Sequence, residues 1–122
     1  MAYTEAHEWL EVESDTGTIG ITDYAQSQLG DIVFVELPEV GAQLRRGEAF
    51  GTVEAVKTVE DLYAPVSGEV VEVNEDLEDD AERVNRDPYG EGWLIKVRLA
   101  EPAELDDVLA AADYRDHIAG GA

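Results

Sequence analysis

Residues 50–65, F-G-T-V-E-A-V-K-T-V-E-D-L-Y-A-P, hold one lysine, Lys57, between two runs of extended type. The run before the lysine alternates with a period of two, which is typical of a β-strand. One face of this strand carries Phe50, Thr52, Glu54 and Val56, and the other carries Gly51, Val53 and Ala55. The pattern predicts a β-hairpin with Lys57 exposed at its tip. Most lysines in such a place are no more than solvated turn residues.

Length and composition favour one folded domain, which we expect to span residues 1–122. The chain has 122 residues, of which 44% are hydrophobic, and this is enough for a real core. Only two residues are lysines, Lys57 and Lys96, so a lysine at a hairpin tip is a marked position. The acidic N-terminus and the lack of a long apolar run indicate neither a targeting peptide nor a membrane span. We therefore expect a cytoplasmic protein.

Acidic residues dominate the charge of the chain. There are 29 of them against eight basic residues, and the net charge is -21. Such a surface repels nucleic-acid phosphates and anionic membranes, so we exclude both as main partners. Because the acidic residues are spread along the chain, the pattern indicates adaptation to a salty cytosol, as in a halophilic prokaryote. An acidic docking face is the alternative interpretation.

No pattern in the chain predicts a catalytic centre or a metal site. The chain has no cysteine, so it offers neither a disulfide nor a thiolate nucleophile. The two histidines, His7 and His117, are far apart in sequence and make a poor metal site. No glycine-rich phosphate loop follows a strand and opens a helix. A self-sufficient enzyme is therefore not predicted.

Short extended segments recur along the chain, at residues 9–13, 18–21, 31–37, 69–73 and 93–99. Thr22 is a good N-cap for a short helix over 23–29, and Gly30 is the expected residue after its end. A helical turn is predicted over 79–84, and a C-terminal helix over about 102–118 with one apolar face. These elements predict a small β-sandwich or flattened barrel with peripheral helices.

A six-residue pattern occurs twice, at 30–35 (G-D-I-V-F-V) and at 68–73 (G-E-V-V-E-V). The two copies lie on either side of Lys57. They predict two similar half-sheets that face each other. The half-sheets would be related by pseudo-twofold symmetry, with the lysine near the symmetry axis.

A chain without a reactive side chain of its own can carry a cofactor that has one. An amide bond through Lys57 would place that cofactor on a long tether. A tether on a stiff hairpin reaches several enzyme sites and raises the local concentration of the cofactor there.

The residues around Lys57, V-E-A-V-K-T, resemble the lipoylation motif of the glycine cleavage system H protein family. Further segments are similar to this family over most of the chain: 7–9 (H-E-W), 19–22 (I-G-I-T), 24–26 (Y-A-Q), 29–38 (L-G-D-I-V-F-V-E-L-P), 64–70 (A-P-V-S-G-E-V) and 87–93 (D-P-Y-G-E-G-W). Two positions depart from the family pattern. Ala55 stands where a serine is common, and no proline occurs near Ala81.

The resemblance implies a mainly β fold, a barrel-sandwich hybrid of two small antiparallel sheets, and lipoate attached covalently to Lys57. It implies four partners: a pyridoxal-phosphate glycine decarboxylase (P protein), an aminomethyltransferase (T protein), a dihydrolipoyl dehydrogenase (L protein) and a lipoate-attaching enzyme. The chain would shuttle the methylamine group of glycine between the first two and catalyse no step itself.

In this family the loaded arm folds back onto the protein surface. Glu8 and Asp61 occupy matching positions near that cleft, so the resemblance implies that they bind the cationic amine of the arm. The alternative is that they are two solvated acids among the 29 in the chain.

Three other functions share parts of this pattern. A biotinyl carrier and a lipoyl domain of a 2-oxo acid dehydrogenase complex both display a lysine on a hairpin. Biotinyl carriers usually have methionine beside the lysine, where this chain has Val56 and Thr58. An unmodified binding module, or a protein that relays lipoate to others, is the third alternative.

Overall fold

The computed structural model describes residues 2–4 and 7–100 of the chain. Helices are few in this part: α1 (Asp23–Leu29), a 3₁₀ helix (Glu75–Glu78) and α2 (Arg83–Arg86). The strands are β1 (Ala2–Tyr3), β2 (Glu8–Glu13), β3 (Thr16–Ile21), β4 (Ile32–Glu36), β5 (Gln43–Leu44), β6 (Ala49–Ala55), β7 (Val59–Tyr63), β8 (Gly68–Val73) and β9 (Ile95–Leu99). The helix predicted over about 102–118 lies outside the described residues.

The strands form two antiparallel sheets. One sheet has six strands in the order β1-β2-β3-β9-β8-β5, and the other has three in the order β4-β6-β7. The mainly β architecture is therefore confirmed. The two copies of the repeated pattern lie in β4 and β8, which belong to different sheets. The two sheets differ in size, six strands against three.

Both sheets contribute apolar side chains to one core. Its members include Leu10 and Ile19 from the larger sheet and Ile32, Val53 and Leu62 from the smaller one. Burying a side chain of this size stabilises a fold by about 1.5–3 kcal/mol. The core thereby fixes the position of the three-stranded sheet, which includes the β6–β7 hairpin.

Trp9 is part of the buried interior, as its size predicts. Its indole Nε1 donates a hydrogen bond of 2.9 Å to the carbonyl of Pro88. Gly20 lies directly opposite Trp9 in the β2–β3 register. A Cβ atom on Gly20 would lie 2.5 Å from the indole ring, which is too close for any side chain. The glycine thus makes room for the aromatic ring that joins β2 to the loop before β9.

Helix α1 begins and ends where the sequence predicts. The Thr22 hydroxyl accepts a hydrogen bond of 3.1 Å from the Ala25 amide, as an N-cap does. A second first-turn amide, that of Asp23, donates to the Tyr89 hydroxyl at 2.9 Å. Gly30 follows the helix with φ of 80°, a conformation that favours glycine. The chain then enters β4 beside the hairpin.

The helical turn predicted over 79–84 is misplaced. The 3₁₀ helix ends before this segment, and α2 overlaps it only at Arg83 and Val84. Between them the Asp80 carboxylate accepts hydrogen bonds from Arg86 and Arg83. These contacts hold the pKa of Asp80 below its ordinary value. The α-helix begins at Arg83, near the end of the predicted segment and not at its start.

Candidate functional site

Lys57 lies at the tip of the β6–β7 hairpin and is exposed, as the alternating pattern predicts. Behind it, Val53 and Ala55 are buried, whereas Glu54 and Val56 are exposed. Phe50 departs from the alternation and is buried, because the strand register shifts between Ala49 and Gly51.

Two backbone hydrogen bonds hold the tip. The Ala55 amide donates to the Thr58 carbonyl at 2.8 Å, which closes the turn across Lys57. The Val56 amide donates to the Asp31 carbonyl at 3.0 Å and ties the tip to the segment between α1 and β4. The lysine therefore projects from a stiff support rather than from a free loop.

The stem of Lys57 lies against Gly30. A Cβ atom placed on Gly30 would lie 3.6 Å from Cε of Lys57 and 4.0 Å from its Nζ. Gly30 is itself fixed by Asn85, whose Nδ2 donates to the Gly30 carbonyl at 2.8 Å and to Gln26 Oε1 at 2.9 Å. The Oδ1 atom of Asn85 accepts from the Ile32 amide at 2.9 Å. One side chain of α2 thus anchors the surface on which the lysine rests.

A cleft of about 270 Å³ runs beside the hairpin. Its apolar wall comes from α1 and from both sheets, and its polar groups come mainly from β2 and β7. The lining residues are His7, Glu8, Ile21, Ala25, Gln28, Leu29, Val53, Thr58, Glu60, Asp61, Leu62 and Tyr63. Glu8 and Asp61, which are 53 positions apart in sequence, therefore line one cleft next to the tip residue Thr58.

Glu8 is buried, with 3% of its surface exposed. The Thr4 hydroxyl donates a hydrogen bond of 2.8 Å to its Oε1 atom. Burial raises the pKa of Glu8 from 4.5 to about 7, although the bonds from Thr4 and from the Tyr63 backbone oppose the shift. A carboxyl group with this pKa changes its charge near neutral pH.

Asp61 is exposed on the edge strand β7, opposite Thr52 in the register. Its neighbour Glu60 lies opposite the buried Val53 and lines the same cleft. Sequence reasoning selected Asp61 and passed over Glu60, although the two acids are adjacent. The pairing of Glu60 with an inward-facing residue becomes visible only once the strand register is known.

His7 also lines the cleft and was not assigned a chemical role. Its backbone φ is 67°, which is uncommon for a residue other than glycine. Its ring centroid lies 4.7 Å from that of Tyr24 on α1. Within residues 2–4 and 7–100, no three histidine or acidic residues are placed to hold a metal ion. No helix in that part of the chain is long and apolar enough to cross a membrane.

A small domain of two packed sheets that holds a lysine at a braced hairpin tip, beside an acid-lined cleft, defines the class of swinging-arm carrier domains. The cleft combines aliphatic walls with carboxylate groups. Comparison with known proteins then identifies the particular family.

The family model described as "Glycine cleavage H-protein" matches residues 1–120. A glycine cleavage system H protein from Symbiobacterium thermophilum is 60% identical over 114 residues, which are 93% of this chain and 89% of the relative. One from Rubrobacter xylanophilus is 62% identical over 105 residues, 86% and 83% of the two chains. The crystal structure of a glycine cleavage system H protein from Mycobacterium marinum superposes with a TM-score of 0.90 at 41% identity, covering 97% of this chain and 95% of that one.

This chain belongs to the glycine cleavage H-protein family. The barrel-sandwich hybrid of two antiparallel sheets and the carrier role in glycine cleavage, both implied by the resemblance, are thereby confirmed. The protein is a component of the glycine cleavage system, and its partners belong to that system.

Proposed function

We propose that Lys57 carries lipoate through an amide bond and that the arm shuttles the methylamine group of glycine. The observation that carries this proposal is the position of Lys57, exposed at a hairpin tip that two backbone hydrogen bonds brace. The family finding favours this function over the biotinyl, 2-oxo acid dehydrogenase and lipoate-relay alternatives.

The residues beside Lys57 fit such an arm. Lipoate, when bound, supplies a dithiolane, a two-electron couple whose thiol also carries the transferred group. Ile21, Leu29 and Leu62 give the cleft an apolar wall along which an aliphatic chain can lie. Since the chain has no cysteine, none of its own side chains can form a mixed disulfide with the arm.

Glu8 and Asp61 are proposed to bind the cationic amine of the loaded arm. The proposal is supported by their shared cleft and by the burial of Glu8 beside apolar residues, which strengthens attraction to a cation. A bound cation favours the ionised form of Glu8, so arm binding near neutral pH should release a proton. With the arm bound in the cleft, the apolar wall would also keep water from the carried group.

The partners we propose are the glycine decarboxylase (P protein), the aminomethyltransferase (T protein), the dihydrolipoyl dehydrogenase (L protein) and a lipoate-attaching enzyme. The chain itself is a non-catalytic, cytoplasmic carrier that forms one domain over 1–122. The family match over residues 1–120 supports the single domain. A tethered arm can visit each partner in turn because its bond to Lys57 leaves the far end free.

The proposal is tested by Lys57→Arg in a glycine cleavage reaction reconstituted from the four components. Arginine keeps the charge but cannot be lipoylated, so we expect glycine cleavage to be lost while the melting temperature stays unchanged. Lys96→Arg changes the other lysine, which pairs with Glu72 at 3.9 Å, and should keep full activity. Glycine cleavage by the Lys57→Arg protein would refute the proposal.

The role of the two acids is tested by Glu8→Gln and Asp61→Asn together. Amides lack the charge that holds the amine, so we expect the lifetime of the methylamine-loaded form to shorten. Release of formaldehyde or ammonia from the loaded protein over time measures this lifetime. Glu11→Gln is the matched control, because Glu11 is an exposed residue of the same strand. An unchanged lifetime in the double variant would argue against amine binding.

A further inference from the structure

Exposed apolar side chains cluster around the hairpin tip, on the three-stranded sheet and its turn. We call Val33, Phe34, Val56 and Val59 the tip patch. All four are exposed; 47% of the surface of Phe34 and 59% of that of Val59 are open to solvent. Single apolar residues are normal on a protein surface, whereas a contiguous group marks an interaction site.

The strand register places Phe34 and Val59 in one row next to Lys57, on either side of Glu54. Phe34 on β4 lies opposite Glu54 on β6, and Glu54 lies opposite Val59 on β7. Directly opposed residues have Cβ atoms about 4.5–5.5 Å apart. Val56 follows directly after β6 and precedes Lys57. The row thus crosses the whole sheet at the end that displays the lysine.

A β-bulge turns Phe34 outward. The register shifts between Ile32 and Phe34, so that Val33 and Phe34 are both exposed while Ile32 and Val35 are both buried. Without the bulge, alternation from Ile32 would direct Phe34 into the core. Bulges beside functional sites often re-aim a side chain in this way. The aromatic ring is therefore presented to solvent by the fold itself.

Acidic groups lie within the patch and beside it. The strands β4, β6 and β7 carry Glu36, Glu54, Glu60 and Asp61 and no lysine or arginine. A surface that fits this one has apolar groups that meet Phe34 and Val59 and basic groups that meet Glu54 and the acids beside the patch. The partner must also reach Lys57, which lies at the end of the patch.

We propose that the tip patch is the docking surface of the enzyme that attaches lipoate to Lys57, an inference that rests on the proposed function. Attachment occurs at Nζ itself. The amine attacks the carbonyl carbon of a lipoyl–phosphate anhydride made from lipoate and ATP, the new carbon–nitrogen bond forms, the bond from that carbon to the phosphate oxygen breaks, and the nucleotide phosphate leaves with the electron pair. The amine proton passes to a base or to water. The attaching enzyme must therefore cover residues next to Lys57, whereas the other partners act at the far end of the arm.

The test follows the acylation of unmodified protein by the attaching enzyme of the same host, with lipoate and ATP, by intact mass. We expect Phe34→Ser and Val59→Ser each to lower kcat/KM about tenfold, through KM, as truncation of an apolar anchor does in an interface. Val40→Ser is the matched control: Val40 is 65% exposed and lies beyond the opposite end of β4. Its kcat/KM should stay within about twofold of the wild-type value.

A competition experiment separates docking from chemistry. Lys57→Arg keeps the patch but cannot be acylated, so it should inhibit acylation of the wild-type protein. Adding Phe34→Ser and Val59→Ser to this variant should abolish the inhibition.

Wild-type acylation rates in both Phe34→Ser and Val59→Ser, or an equal loss in Val40→Ser, would overturn the docking proposal and leave Lys57 as the attachment site. If the wild-type protein gains no lipoyl mass, the proposed function fails and the docking proposal fails with it.

Discussion

Glu8 differs from the other acidic residues of the described chain because it alone is buried. Its burial beside Ile21 and Leu62 raises its pKa, and the Thr4 hydroxyl satisfies one carboxyl oxygen. Ionisation of a buried carboxyl group lowers the stability of the fold, but the buried charge then attracts a cation more strongly than an exposed charge does. At this residue the fold gives up stability, a compromise typical of functional sites, and the amine binding that we propose for Glu8 would account for it.

The pH dependence of stability exposes this compromise. The folded-state pKa of about 7 lies above the ordinary value of 4.5, so folded protein binds more protons than unfolded protein between these pH values. The free energy of unfolding should therefore rise as pH falls from about 7 to 4.5, and ionised Glu8 should lower it most above pH 7. Relative to Glu8→Gln, the wild type should gain about 3 kcal/mol over this range. Urea unfolding of both proteins at several pH values measures the difference, and parallel curves would contradict it.

At the scale of elements, the hairpin is positioned by contacts that are distant in sequence. Its alternating pattern and the caps of α1 are local signals, so both elements could be predicted. The bonds from Asn85 to Gly30 and Ile32 span 55 and 53 residues, and no local pattern indicates them. Strict alternation with a period of two also does not predict the bulge at Val33. These non-local features decide how the lysine is supported and which side chains surround it.

The residues of the candidate site also divide into those that local patterns predict and those that depend on non-local contacts. Lys57 could be predicted because lysine is rare in the chain and the motif around it is local. Glu8 and Asp61 could be placed near one cleft only through the resemblance to the family. The burial of Glu8 depends on tertiary packing and the position of Glu60 on the β6–β7 register, and the sequence alone reveals neither.

At the scale of the whole molecule, charge is far from balanced. Arg83, Arg86, Lys96 and Arg98 each form ion pairs with acidic side chains, but the chain has eight basic residues against 29 acidic ones, so most carboxylates have no basic residue to pair with. The remaining carboxylates repel one another in the folded state. Salt screens this repulsion, because the Debye length falls from about 10 Å at 0.1 M to about 3 Å at 1 M.

Stability should therefore rise with salt, as expected for a protein adapted to a salty cytosol. We expect the melting temperature to increase between dilute buffer and molar KCl. An uncharged osmolyte that gives the same osmotic pressure separates charge screening from general exclusion effects. If the melting temperature is unchanged in molar KCl, salt adaptation is refuted, and the acidic surface is better explained as a docking face.

The central claim concerns a single atom, Nζ of Lys57, and intact mass tests it most directly. Protein purified from its native host should carry the added mass of one lipoyl group, and peptide mapping should assign that mass to Lys57. An unmodified chain, a biotinyl mass, or a lipoyl group on any other residue would contradict the account.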